Sequence, residues 1–176
     1  SGVIQAGPDL KAFSAEDLRA DLLQIRSALE NSHPAVYGFT DKESFERLYK
    51  KQIGLITGPM TLGQFYSIAA PLVTAVGCGH TRLATPPAYW QNAPARFFPL
   101  KIRFFGNRAY VTGAADSAAR LPAGSEIAAI NGQPILEILA VLKPLTSSDG
   151  ANDGNKTFRL SAAFAPIYAH RFGFPE

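Results

Sequence analysis

The sequence predicts an α+β protein, in which a three-helix amino-terminal domain precedes a small β-rich domain with one or two helices. Two observations support this fold class. Apolar residues recur at helical spacing before residue 77 and follow strand spacing after residue 99, and a Pro-rich passage separates the two patterns. With 176 residues, 47% of them apolar, the chain is long enough to bury a sizeable core. The predicted boundaries are 1–90 for the helical domain, 97–145 for the β-rich domain and 146–176 for a loop and linker.

Three helices are predicted in the first domain, each beginning at a side chain that can cap its first turn. A Ser or Thr followed three residues later by an acidic or amide side chain is typical of a capping box, which satisfies free N–H groups at a helix start. The pattern occurs at Ser14–Asp17, Thr40–Glu43 and Thr61–Gln64. The apolar stripes that follow predict helices over about 15–31, 41–56 and 62–76.

Strand and turn signals begin at residue 100. A hairpin is predicted over residues 100–111. Its turn is Gly106-Asn107, and the apolar side chains that share a strand face are Leu100, Ile102 and Phe104 before the turn and Ala109 and Val111 after it. A short strand from Glu126 to Ile130 is followed by an Asn131-Gly132 turn and by a helix with the apolar face Ile135, Ile138, Leu139 and Leu142. Residues 146–157 are polar and rich in Gly, Asn and Asp, so they are predicted to form an exposed, mobile loop.

Charge and composition argue against several functions. The net charge is only +3 and Lys50-Lys51 is the only adjacent basic pair, so no nucleic-acid partner is predicted. No apolar run approaches the ~20 residues that cross a bilayer, so no membrane span is predicted. The single Cys78 and three widely spaced histidines form no metal-binding motif, so neither a metal nor another cofactor is expected.

Five segments in this order resemble one known family. They are SALENSHPAVYGF (27–39), AVGCGHTRL (75–83), FFPLKIRF (97–104), LPAGSEIAAINGQPILEIL (121–139) and TSSDG (146–150). Over nearly its whole length the chain is similar to the amino-terminal part of tail-specific, or C-terminal processing, serine peptidases, which include the tricorn protease core. The most specific feature is Gly-His-Thr after a helical region, combined with Gly-Ser-Glu-Ile and Asn-Gly segments typical of the PDZ-like module of that family.

The resemblance implies a periplasmic or secreted peptidase in which these two domains precede a catalytic domain that supplies the serine nucleophile. The chain has no Gly-x-Ser-x-Gly or Ser-x-x-Lys motif, so the catalytic domain is expected to be absent and the chain alone inactive. The implied partners are a peptide or protein substrate and the missing carboxy-terminal catalytic domain. Substrate would bind the PDZ-like residues Gly124, Ser125, Glu126 and Ile127.

His80 is the general base that the resemblance implies, because a histidine after the helical region has this role in tricorn-like members. Cys78 stands where branches of the family usually carry an acidic residue. The alternative is that Gly77 ends the third helix and His80 bonds the last free carbonyls. A catalytic imidazole should be exposed, whereas a capping ring should be covered and point back to residues 73–76.

Other polar residues are interpreted structurally. His33-Pro34 is predicted to stop the first helix, and Cys78 to be a small buried thiol, since no third group orients a Cys78–His80 pair. Ser147-Ser148 falls in the predicted loop, where oxyanion geometry would not be held. A second function stays open: a ligand-binding protein without peptidase activity, like the retinoid-binding relatives of this family, with an apolar small-molecule ligand.

Overall fold

The structure is a computed structural model that describes residues 11–91, 97–115 and 121–174. It confirms the α+β class, since helices and small antiparallel sheets share the chain. The first half consists, in order, of β1 (Ala12–Phe13), α1 (Ala15–Ser32), α2 (Lys42–Gly54), β2 (Met60–Thr61), α3 (Leu62–Thr74) and α4 (Pro87–Gln91). Antiparallel pairing of β1 with β2 brings the starts of α1 and α3 together.

The start signals predicted for α1 and α3 are confirmed, whereas the one predicted for α2 is wrong. The Ser14 and Thr61 side chains each accept a hydrogen bond from the N–H three residues later. For α2 the capping side chain is Asp41 and not Thr40. A carboxylate is favoured there because the positive end of the helix dipole attracts its charge. Thr40 instead donates its hydroxyl to the Ala75 carbonyl, 2.6 Å away, and so connects the start of α2 to the end of α3.

The second half contains the hairpin predicted around Gly106-Asn107. It comprises β3 (Leu100–Phe105), β4 (Arg108–Ala114), β5 (Glu126–Ile127), β6 (Ala129–Ile130), β7 (Gln133–Pro134), α5 (Ile135–Leu142), a 3₁₀ turn (Lys143–Leu145), α6 (Asp153–Ala162) and α7 (Phe164–Phe172). β3, β4 and β5 form one antiparallel sheet in that order, and β6 pairs with β7, so the strand predicted over 126–130 is divided between two sheets. Asn131 and Gly132 have φ of +50° and +77°, as a type I′ turn requires.

The exposed loop predicted over 146–157 is confirmed only in its middle part, where Asp149 and residues 151–154 are exposed. Residues 146–148 are no more than 7% exposed, and α6 begins at Asp153. Ser147 Oγ donates to the carbonyl of the distant Thr81 at 2.6 Å, and within the segment the Asn152 side chain caps α6. The segment to residue 176, expected as loop and linker, contains α6 and α7, whose apolar residues pack against the β3–β5 sheet.

Apolar side chains of the described residues are buried in two adjoining clusters. One lies among α1, α2 and α3, and the other lies between the β3–β5 sheet and helices α5, α6 and α7. α3 belongs to both, since its Leu72 is in the first cluster and its Ala70 is in the second. Leu83 packs against both clusters, and the Thr74 hydroxyl donates to the Pro144 carbonyl at 2.7 Å. The helical and β-rich halves are therefore packed together through α3. Among the described ranges, no helix combines the length and apolar character needed to cross a bilayer.

Candidate functional site

The candidate site is built on residues 77–82, which follow α3 and are called here the histidine loop. Gly77 has a φ of +67°, a backbone conformation that favours glycine. A Cβ at this position would lie 2.6 Å from the Phe39 ring, so the close approach of that ring also requires glycine. The chain thus leaves the helix at Gly77 and presents Cys78 and His80 on an irregular segment.

Hydrogen bonds hold the histidine loop against residues 147–159. The donor and acceptor pairs are Gly79 N–H to Asp149 Oδ1 (2.7 Å), Gly150 N–H to the Gly77 carbonyl (2.9 Å), Ser147 Oγ to the Thr81 carbonyl (2.6 Å) and Arg159 Nη1 to the Gly79 carbonyl (2.7 Å). The segments AVGCGHTRL and TSSDG therefore lie side by side although they are far apart in the chain. Because bonds occur at several positions along the loop, its backbone is held in one arrangement.

The His80 side chain is exposed. The carbonyls at the end of α3, which a capping ring would bond, already have other donors. The Thr40 hydroxyl bonds to Ala75, and the N–H groups of residues 76 and 77 bond to the carbonyls of residues 73 and 74. An exposed ring beside a satisfied helix end does not match the capping interpretation, in which the ring is covered and bonds these carbonyls.

Cys78 is partly exposed, and not the buried thiol that was expected. Hydrogen bonds from the His33 side chain, the Thr81 hydroxyl and the His80 backbone favour the thiolate and lower the pKa of Cys78 from 9.0 to about 6. His33 ends α1 as predicted, and its Nδ1 accepts the Ala35 N–H at 3.2 Å. The other ring nitrogen is therefore the one available to donate to the thiol. The sequence did not indicate this contact, since His33 and Cys78 lie on different helix ends.

A cavity of about 770 Å³ opens beside the histidine loop. Its wall combines basic side chains, from Arg82 and Arg159 as well as His80, with apolar surface from helices α4, α6 and α7. Trp90 and Phe158 are the largest aromatic side chains of that surface. A cavity with this lining suits a ligand that is mostly apolar and carries a negative charge.

His170, on α7, also lines the cavity and was not predicted as a site residue. It is 5% exposed, and burial lowers its pKa from 6.5 to about 4, so the ring is neutral at pH 7. The ring stacks on Tyr66 with centroids 4.1 Å apart, and its Nδ1 has no hydrogen-bond partner among the described residues. No signal in the sequence could have found it, because the contact with Tyr66 depends on the packing of α7 against α3.

The predicted substrate-binding residues lie on β5 and the turn before it; they are Gly124, Ser125, Glu126 and Ile127. The Gly124 N–H donates to the Val111 carbonyl at 2.8 Å, and the Ser125 carbonyl accepts the Val111 N–H at 2.9 Å. Glu126 forms an ion pair with Arg108, and Ile127 is buried in the core. Within the part of the chain that the structure describes, other residues line the cavity beside His80. The structure therefore does not bring the two predicted sites together.

Cys78 and His80 come together with Asp149. The thiol sulfur, an imidazole nitrogen and a carboxylate oxygen all lie within 4.8 Å of one another. Spacing in the sequence did not indicate this cluster, because Asp149 belongs to the segment predicted to be a mobile loop.

Comparison of the chain with protein-family models, with curated proteins and with solved structures found no significant match.

Proposed function

We propose that this chain is the non-catalytic front part of a serine endopeptidase, in which His80 is the general base for a serine supplied by a catalytic domain outside this sequence. The observation that carries the proposal is the exposed imidazole on a loop that hydrogen bonds hold against residues 147–159. A catalytic base has to be accessible and also held in one position. The resemblance of residues 75–83 to tail-specific serine peptidases supports the same role.

The proposed reaction assigns His80 two proton transfers. It takes the proton of the serine hydroxyl as the oxygen attacks the peptide carbonyl, and the imidazolium then gives this proton to the departing amine. The bonds from Gly79 to Asp149 and from Arg159 to Gly79 limit the movement of the residue before His80. We therefore expect Asp149 and Arg159 to act as positioning residues.

The substrate peptide is proposed to bind the β-rich half, residues 97–145, as a PDZ-like module. Among the described residues β5 pairs only with β4, so its other edge offers backbone groups to an added strand. Gly124 and Ser125 use their backbone groups inside the sheet, so their proposed role is to shape the turn beside the peptide. As in the family it resembles, the protein is proposed to act in the periplasm or outside the cell.

The test compares His80→Gln with His33→Gln in the gene product that contains both these residues and a serine nucleophile. Glutamine keeps a polar side chain of similar length but cannot act as a proton acceptor. We expect His80→Gln to lower turnover of casein by roughly 10²- to 10⁴-fold, the usual cost of losing a positioned base, with little change in Tm. His33→Gln should keep most of the turnover.

Two results would contradict the proposal. One is casein hydrolysis by residues 1–176 alone that disappears with His80→Gln, since this would require a complete catalytic site in the chain. The other is a full-length His80→Gln protein that melts several degrees earlier and yet keeps its turnover, which would make His80 structural.

A ligand-binding function without peptidase activity is supported by a separate observation, the cavity of about 770 Å³ with its aromatic and basic wall. NMR titration of the chain distinguishes the two functions. Peptides with apolar carboxy termini should shift amides between residues 121 and 142, with dissociation constants in the micromolar to millimolar range. Shifts confined to Trp90 and α7 on addition of a long-chain fatty acid, without a response to peptides, would favour the ligand-binding function.

A further inference from the structure

We propose that Cys78, His80 and Asp149 form a binding site for a zinc ion. A thiolate, an imidazole and a carboxylate are all ligands that zinc uses in proteins. The three ligand atoms lie within 4.8 Å of one another. Zinc bonds of about 2.0–2.3 Å in tetrahedral geometry place ligand atoms roughly 3–4 Å apart. His80 and Asp149 are exposed, so small rotations of their side chains can close the remaining distance.

The backbone that carries these ligands is held before any metal binds. The Gly79 N–H bonds Asp149 Oδ1 at 2.7 Å, which orients the carboxylate and leaves Oδ2 for a metal. A Cβ on Gly79 would lie 3.0 Å from that Oδ2, so glycine permits the close approach of the carboxylate. Two of the three ligands come from the histidine loop and the third from the segment bonded to it. The backbone segments that carry the ligands are therefore ordered in the folded chain, so metal binding does not have to meet the entropy cost of ordering them.

The chemistry of the three ligands favours zinc over magnesium and calcium. Magnesium and calcium prefer oxygen ligands, whereas thiolate sulfur and imidazole nitrogen suit zinc. Cys78 has to lose its thiol proton to bind zinc, because the thiolate is the form that coordinates a metal. The charge of Arg159 acts against the binding of a cation at this site. Its Nη2 lies on the same side of Gly79 as the Asp149 carboxylate. With three protein ligands, the fourth position is left for water.

Zinc at this site would occupy an imidazole that the proposed peptidase needs as a proton acceptor. Inhibition of proteolysis by zinc is therefore expected, and this consequence rests on the proposed function. The metal site itself does not, because binding can be measured on the chain without any catalytic activity.

The experiment titrates the reduced, metal-free chain with Co²⁺, a spectroscopic substitute for zinc, and then displaces it with Zn²⁺. We expect one Co²⁺ per chain, with the near-ultraviolet charge-transfer absorption that a thiolate ligand produces, and loss of that absorption when Zn²⁺ is added. Cys78→Ser should abolish the absorption. Asp149→Asn should weaken Zn²⁺ binding in calorimetry by at least about 10-fold. Loss of a residue that only hydrogen-bonds to a metal ligand already lowers metal affinity by roughly 10- to 100-fold.

Asp153→Asn is the matched control, because Asp153 is an exposed carboxylate four residues further on that pairs with Lys143. It should bind Zn²⁺ as the wild-type chain does. Circular dichroism of each variant, without metal, verifies that it is folded.

Three results would overturn the proposal: folded wild-type chain shows no thiolate absorption with Co²⁺, Cys78→Ser binds Zn²⁺ as tightly as wild type, or size-exclusion chromatography shows binding only as one metal shared by two chains. Failure of peptidase assays alone would leave the metal site standing and would count against the proposed function.

Discussion

The three histidines of this chain occupy three different environments. His33 bonds the Cys78 thiol, His80 is exposed on the histidine loop, and His170 is buried among aromatic rings. Burial of His170 disfavours its charged form and lowers its pKa. Exposure leaves the ring free to exchange a proton or bind a metal. The three side chains are chemically identical, so the surroundings of each histidine indicate what it can do.

Protonation of His170 should destabilise the fold in acid. Its pKa is about 4 in the folded chain against 6.5 for an ordinary histidine, so the unfolded state binds the proton more tightly. Stability that is present above pH 6.5 is therefore lost as the pH falls toward 4, by roughly 3 kcal/mol at most. Urea unfolding between pH 7.5 and pH 4 should show this loss in the wild-type chain and a smaller loss in His170→Phe, which keeps an aromatic ring.

The control for this measurement is Phe158→Ala, which changes an exposed side chain, leaves His170 in place and should follow the wild-type pH dependence. If His170→Phe lost stability toward pH 4 as steeply as the wild-type chain, the acid sensitivity would belong to other groups.

At the scale of elements, the site depends on how α3 begins and ends. Its start is determined locally by the capping box of Thr61 and Gln64. Its end depends on distant residues as well, because Thr40 bonds the Ala75 carbonyl and Phe39 packs on Gly77. The position of the histidine loop is therefore set by α3 together with the segment that precedes α2.

Gly77→Ala should destabilise the chain more than Gly106→Ala. Both glycines have positive φ, +67° and +59°, so each change carries a backbone cost of about 1–2 kcal/mol. A Cβ at Gly77 would also meet the Phe39 ring at 2.6 Å, whereas no described atom lies within 4 Å of a Cβ at Gly106. Urea unfolding should show an additional loss on the order of 1 kcal/mol for Gly77→Ala.

A Phe39→Ala background separates the two contributions to this loss. Without the ring, the difference between Gly77→Ala and Gly106→Ala should largely disappear. A difference that persisted in this background would show that the Phe39 contact does not explain it.

At the scale of the whole molecule, α3 joins the two buried clusters, and α6 and α7 complete the second one. Leu160 on α6 and Phe164 on α7 are 0% and 3% exposed. These helices cover one face of the β3–β5 sheet, which would otherwise expose its apolar side chains to water. Residues 153–172 are therefore part of the folded unit.

Leu160→Ala should destabilise the whole chain, whereas Phe158→Ala should have a small effect. Both residues are on α6, but Leu160 is 0% exposed and Phe158 is 58% exposed. Loss of a buried leucine costs about 2–5 kcal/mol. Because α3 belongs to both clusters, the urea midpoints measured by circular dichroism and by Trp90 fluorescence should fall together. Equal, small effects of the two changes would mean that α6 is not part of the core.

The sequence by itself determined the α+β class, the helix starts at Ser14 and Thr61, the hairpin of β3 and β4, and the segment that carries His80. These features depend on residues a few positions apart, so periodicity, capping side chains and turn residues are enough to predict them. The burial of residues 146–148, the approach of Asp149 to Cys78 and the cavity beside His170 were decided only by the tertiary structure. Ser, Asn and Asp side chains form hydrogen bonds equally well with water and with other protein groups. A segment rich in these residues can therefore be either exposed or packed against the protein. Contacts between distant segments depend on how α3, α6 and α7 pack, and local patterns do not specify that packing.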